Sequence, residues 1–270
     1  MTTDATPVLR DVVFAERIGY RPLTLDLHRP AGGPAPVIVF VHGGGWRLGS
    51  RRMFTPGLTE DESFGRIVRA GFAVASIDYR LSGEARFPAP VDDVVDAVAR
   101  VRADGDQWGV QPDRVVLWGE SSGAHLAALA AMRPGTDLAG VIDWYGPADL
   151  TALGRHLHPD DPLRFDADPG TREAGLLGGP VRDRQEEARR ASPALQARRD
   201  LPPFHIAHGE ADDLIPIAQS EALAGALAWQ GVDVEFDRVP GAGHFWRGAE
   251  DVGALFDRAL AFAARVAPPR

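Results

Sequence analysis

The segment Val115-Val-Leu-Trp-Gly-Glu-Ser-Ser-Gly-Ala-His-Leu-Ala-Ala-Leu-Ala-Ala131 passes from a continuous apolar run, through a polar turn, into an alanine-rich stretch. The first part reads as a buried strand and the last as a helix from Ser122 to about Met132. Between them, Gly119-Glu120-Ser121-Ser122-Gly123 fits the pattern G-x-S-x-G. A serine at such a strand-to-helix turn stands clear of the sheet on strained backbone. Glycines two residues to either side let neighbouring backbone pass close by. The helix beginning behind it offers N–H groups and positive potential to an oxyanion. With 30 glycines and eight serines in 270 residues, chance supplies this pentapeptide in roughly 10% of such chains. A glycine-rich turn without chemistry is therefore a live alternative, and the rest of the chain has to decide.

Working outward, short apolar runs alternate with helical patterns. Val37–Val41 is β-branched and ends at three glycines, and Phe72–Ile77 follows a helix over about 62–70. Val91, Val94, Val95 and Val98 mark one helix face, with Asp92, Asp93 and Asp96 on the other side near its N-terminal end. Val141–Tyr145, Phe204–Ala207 and Val232–Phe236, the last running on to about Val239, read as further strands. A closing helix carries Val252, Leu255, Phe256, Ala259, Leu260 and Ala263. Leu23–Leu27 alternates as a half-exposed strand in an amino-terminal antiparallel pair. This β–α rhythm predicts an α/β protein: a mostly parallel twisted sheet with helices on both faces. The segment from about 150 to 200, rich in Arg, Asp, Pro and Gly, breaks the rhythm and reads as a lid-like insertion. Residues 1–270 are expected to form one domain carrying that insertion.

Composition narrows the function classes. Apolar residues make up 44% and charged residues 25%, ordinary values for a globular chain. The net charge of −9 argues against nucleic-acid binding. The absence of cysteine removes disulfides, thiolate metal sites and a cysteine nucleophile. All 29 basic residues are arginine, which excludes a Schiff-base lysine. No window approaches the ~18 apolar residues of a membrane span. The leading MTTDATPVLRD lacks the basic and apolar regions of a secretion signal, so a cytoplasmic protein is expected. Composition leaves oligomeric state open.

A serine nucleophile at such a turn needs an acid and then a histidine, in that chain order. After the strand at 204–207 comes His208-Gly-Glu-Ala-Asp-Asp-Leu-Ile-Pro216, and after the next strand Pro240-Gly-Ala-Gly-His-Phe-Trp246. The chain thus offers Ser121, Asp212 and His244, each on a loop at the carboxyl edge of a parallel sheet, where sites of open α/β folds gather. His244 is expected to take the serine proton, and Asp212 to hold the imidazole tautomer. Asp213 and Glu210 compete with Asp212 on spacing alone. His125, one helical turn beyond the serine, is expected to pack against the sheet, and His205 and His208 to satisfy local backbone groups. His156 and His158 beside Asp160 and Asp161 have the residue types of a metal site but read as solvated surface, and no metal or other cofactor is expected.

His42-Gly-Gly-Gly-Trp-Arg47 follows the strand at 37–41. Successive glycines turn backbone N–H groups outward, and Gly44, Gly45 and Ser122 are the expected oxyanion donors. The phosphate-loop alternative lacks both the lysine and the spacing. Trp46, Trp144, Tyr145, Phe245 and Trp246 flank the site, either lining an acyl pocket or packing as ordinary core.

These residues together resemble the α/β-hydrolase superfamily, in particular bacterial carboxylesterases of the feruloyl-esterase-like and hormone-sensitive-lipase types. The resemblance rests on His42–Trp46, Asp78-Tyr-Arg-Leu81 with Glu84 and Phe87–Ala89, Gly119–Gly123, His208-Gly-x-x-Asp212-x-x-Ile-Pro216 and Gly243-His244. It implies that Asp212 is the acid and that Asp78, Arg80 and Glu84 are structural. Glu120 departs from the aspartate or serine frequent in those relatives, and the short insertion speaks against a long-chain lipase. The expected activity is hydrolysis of small or aryl carboxylic esters through an acyl-enzyme, with a small-molecule ester as partner. Arylformamidase, amidase or lactonase activity on the same scaffold is the enzymatic alternative. A non-catalytic hydrolase-fold receptor is another, although such receptors tend to lose the histidine that is present here.

Overall fold

In the computed structural model, which describes residues 8–269, eight strands hydrogen-bond into one sheet. They are β1 (Val8–Ala15), β2 (Leu23–His28), β3 (Ala35–Val41), β4 (Ala73–Ile77), β5 (Val110–Glu120), β6 (Gly140–Trp144), β7 (Phe204–Gly209) and β8 (Val234–Val239). Their order across the sheet is β1-β2-β4-β3-β5-β6-β7-β8. β1 and β2 pair antiparallel, as does β2 with β4; every other neighbouring pair is parallel. The first seven residues of the chain, which bear on the targeting expectation, lie outside the described residues.

The central strands are apolar on both sides because both faces are covered. On β3, Val37, Val39 and Val41 join one core with Val94, Val98 and Leu126, which belong to α1 (Ala89–Trp108) and α2 (Ser122–Ala131). Leu223 and Leu227 of α3 (Ala218–Trp229) complete that side. Ile38 and Phe40 point the other way, into a core with Phe54, Phe64 and the Leu255, Phe256 and Phe262 of α4 (Val252–Val266). Alternate side chains pointing to opposite faces is the period-two rule of a strand. None of the described helices is long and apolar enough to cross a membrane.

After β3 the chain pairs β4 on one side and then crosses to place β5 on the other. Strand order reverses at β3, and the loops leaving the carboxyl ends of β3 and β5 meet there. The segment expected to be irregular contains five short helices: Leu153–Leu157, Pro162–Ala167, Arg172–Leu177, Gln185–Arg190 and Pro193–Gln196. Two start on side-chain caps, Asp161 accepting from the Arg164 N–H and Thr171 from the Ala174 N–H. α3 carries no sequence signal because its apolar residues are mostly alanine and spread around the helix. Its core stripe begins with polar Gln219 and Ser220. Those two are buried because they bond inward, Gln219 to the N–H groups of Ala148 and Asp149 and Ser220 to His208.

Candidate active site

Ser121 sits between β5 and α2 at φ 53°, ψ −121°, a conformation strained for any residue with a Cβ. The surroundings over-determine it. Its N–H donates to Trp144 O at 2.8 Å, and its own carbonyl accepts from the His125 N–H at 3.1 Å. The flanking glycines are a packing necessity: a Cβ on Gly119 would lie 2.4 Å from Ala124 N, and one on Gly123 2.1 Å from Val41 O. The serine is recessed, with 5% of the residue exposed. Gly43 leans over it, its Cβ position 3.4 Å from that of Ser121.

The Ser121 hydroxyl lies 3.0 Å from His244 Nε2, and His244 Nδ1 lies 2.7 Å from Asp212 Oδ2. A carboxylate only accepts, so Nδ1 carries the proton and Nε2 is left with its lone pair toward the hydroxyl. Asp212 Oδ1 accepts from the N–H groups of Leu214 and Ile215, each at 2.9 Å. Nε2 of His208 stands 3.2 Å from Asp212 Oδ2 and 2.8 Å from the Ile215 carbonyl. Burial pushes the Asp212 carboxyl up, but the hydrogen bonds from His208 and His244 outweigh it and hold the group well below the usual carboxylate range. His208 therefore does more than satisfy backbone: it is a second support for the acid. Asp213 is exposed and has no bond to His244.

In the loop after β3, Gly44 has φ +121°, and a Cβ there would fall 2.0 Å from Leu48 O. Gly45 follows at φ +61°. Among the described residues no acceptor takes the N–H of Gly44, Gly45 or Ser122. Unpaired backbone donors of this kind are available to an incoming negative charge. His42 braces the loop from below, stacking on Tyr79 with ring centroids 4.3 Å apart and donating from Nδ1 to Gly43 O at 2.7 Å. Burial lowers its imidazole to about 4, so it stays neutral in this role.

The flanking aromatics divide. Trp46, Trp144, Tyr145 and Trp246 are buried at 2% exposure or less. Trp144 packs against Trp118, Trp246 and Phe256, and Trp46 donates to His125 Nδ1. These four are packed as core side chains are, and only Phe245 of the five is part-exposed. Tyr145 still touches the site from beneath, its ring 4.7 Å from that of His244. The other histidines keep out of the chemistry. His125 is held by the Ala191 carbonyl at 2.7 Å, and burial lowers it to about 4. His205 makes no bond to backbone and instead faces Asp237 at 3.3 Å. His156 accepts from Gln219 at 2.9 Å.

Sequence reasoning missed the setting of Glu120. Its carboxyl is fully enclosed beneath the turn, where it accepts from the hydroxyls of Thr55 and Tyr145, the latter at 3.2 Å. Burial raises it from the ordinary 4.5 to about 7. The unfolded chain releases this proton near pH 4.5, whereas the folded protein keeps it until about 7. Folding stability is therefore lost from this group as pH rises through that interval. Glu120→Gln should remove the loss: relative to the parent, the variant gains on the order of a few kcal/mol between pH 4.5 and 8. Paired urea titrations across that range check it, and parallel stability curves for the two proteins would contradict it.

Residues 25–227 match the BD-FAE family model. Esterase LipQ of Mycobacterium tuberculosis is 32% identical over 243 residues, covering 84% of this chain and 55% of that protein. Esterase LipC of the same organism is 31% identical over 221 residues, covering 78% and 53%. The chain spans about half the length of the curated relatives it matches. A solved structure described as a truncated form of carbohydrate esterase from gut microbiota superposes with a TM-score of 0.82 at 25% identity, covering 97% of this chain and 96% of that one.

Proposed function

The chain belongs to the BD-FAE family of α/β-hydrolases, and on that premise we propose that it hydrolyses small carboxylic esters with Ser121 as nucleophile. The observation that carries the proposal is the unbroken line from Asp212 Oδ2 through His244 to the Ser121 hydroxyl, at 2.7 and 3.0 Å. In this reading Ser121 Oγ attacks the ester carbonyl while His244 Nε2 takes its proton. Asp212 stabilises the imidazolium, and the N–H groups of Gly44, Gly45 and Ser122 receive the carbonyl oxygen as it becomes negative. The tetrahedral intermediate collapses with His244 returning the proton to the departing alkoxide, which leaves an acyl group on Ser121. Water, deprotonated by the same imidazole, releases the acid. No step in this scheme calls for a metal or an organic cofactor. The one-domain reading with an insertion over about 150–200 belongs to the same proposal, supported by the single continuous sheet.

A substrate comparison tests the assignment. The purified protein should turn over 4-nitrophenyl acetate and butyrate at least about 10-fold faster, in kcat/KM, than N-formylkynurenine or a six-membered lactone, since even one methylene in a pocket shifts discrimination by about 10–200-fold. A preference for the formamide or the lactone would move the protein to the corresponding alternative chemistry.

A further inference from the structure

The loop carrying Gly44 and Gly45 has a cationic neighbour from the insertion. A Cβ on Gly45 would lie 2.5 Å from Arg172 Cδ and 3.4 Å from Arg172 Nε, so the Arg172 stem rests on the loop with its guanidinium beside it. Arg172 is half-buried, yet no carboxylate and no hydrogen-bond acceptor pairs with it among the described residues. Arg47, which lines the same cavity, is engaged: it bonds the carbonyls of Gly170 and Thr171. A partly desolvated guanidinium without a partner is unfavourable until an anion arrives.

Arg172 lines a cavity of about 350 Å³ with Arg47, Leu157, Phe165, Thr171 and Ile215. Ile215 belongs to the loop that carries Asp212, so the cavity lies between the oxyanion loop, the insertion and the acid loop. Two carboxyl groups also border it. Asp213 is exposed on the rim and pairs with neither arginine; Glu173 is buried, and burial raises its carboxyl while the nearby charges of Arg172 and Arg47 oppose that rise without a hydrogen bond to either. The cavity thus combines apolar wall with two guanidinium groups, and Arg172 joins it to the loop of Gly44 and Gly45 by resting on Gly45.

We infer that the ester substrate carries a carboxylate, which Arg172 receives as the scissile carbonyl enters the site. The inference rests on the ester-hydrolase reading and adds a substrate class to it. A planar guanidinium fork matches a carboxylate in geometry and charge, and the exposed Asp213 disfavours a dianion such as a phosphate monoester. The carboxylate belongs to either the acyl or the alcohol portion, and two matched pairs distinguish these: mono-4-nitrophenyl adipate against 4-nitrophenyl hexanoate, and 4-acetoxybenzoate against its methyl ester.

The carboxylate-bearing member of one pair is expected to exceed its neutral mate in kcat/KM by about ten-fold or more, the scale of one charge-assisted hydrogen bond. That ratio should collapse in Arg172→Gln. In the parent protein it should shrink when salt is raised from about 0.05 to 0.5 M, a measurement that stands even where the variant fails to fold. Turnover of both pairs with the neutral ester equal or preferred overturns the inference alone, as does a preference that survives in Arg172→Gln. No turnover of any member overturns the ester-hydrolase reading, and this inference with it.

Discussion

Replacing Asp212 by asparagine is expected to lower kcat on 4-nitrophenyl butyrate by about 10⁴-fold with little change in KM. The carboxylate meets only donors: Nδ1–H of His244 and Nε2–H of His208 on Oδ2, and the N–H groups of Leu214 and Ile215 on Oδ1. An asparagine has one acceptor oxygen for these two sets. If the oxygen stays with the backbone N–H groups, the NH₂ faces both imidazoles. His244 Nδ1 must then accept, its proton moves to Nε2, and the lone pair that should take the Ser121 proton is gone. If the amide flips, two buried backbone donors lose their acceptor. Steady-state kinetics with far-ultraviolet circular dichroism separate a tautomer defect from unfolding. A folded Asp212→Asn protein within ten-fold of the parent would contradict the role.

The legibility of this site in the sequence follows from how local each requirement is. The turn at Ser121 is written in five residues because two close approaches, at Gly119 and Gly123, forbid any Cβ. The serine, aspartate and histidine candidates and the glycine loop are legible because each sits at the carboxyl end of an apolar run, where a parallel sheet delivers loops to one edge. What stayed hidden depends on contacts between distant segments. Glu120 acquires its enclosure from Thr55 and Tyr145, 65 and 25 positions away. Arg172 is one arginine of many until the insertion folds over Gly45.

The aromatic residues show the opposite failure. Trp46 and Trp246 stand one and two positions from Gly45 and His244 in sequence, but the positive-φ backbone at Trp46 and at Phe245 and Trp246 sends their rings into the core. Adjacency along the chain says little about which face a side chain takes. α3 was missed for a related reason. A helix whose buried stripe begins with a glutamine and a serine shows no apolar periodicity, although both residues are buried by specific hydrogen bonds.

The most direct test is covalent labelling at the turn. A fluorophosphonate should react with the parent protein and leave one phosphonyl group, located by peptide mass mapping on Ser121 and not on Ser122. Ser121→Ala should remove both the label and about 10⁶-fold of the ester turnover. It should keep the fold, because alanine fills the same space. A label on another residue, or ester hydrolysis that persists near the parent rate in a folded Ser121→Ala protein, would contradict the assignment of the nucleophile and the mechanism built on it.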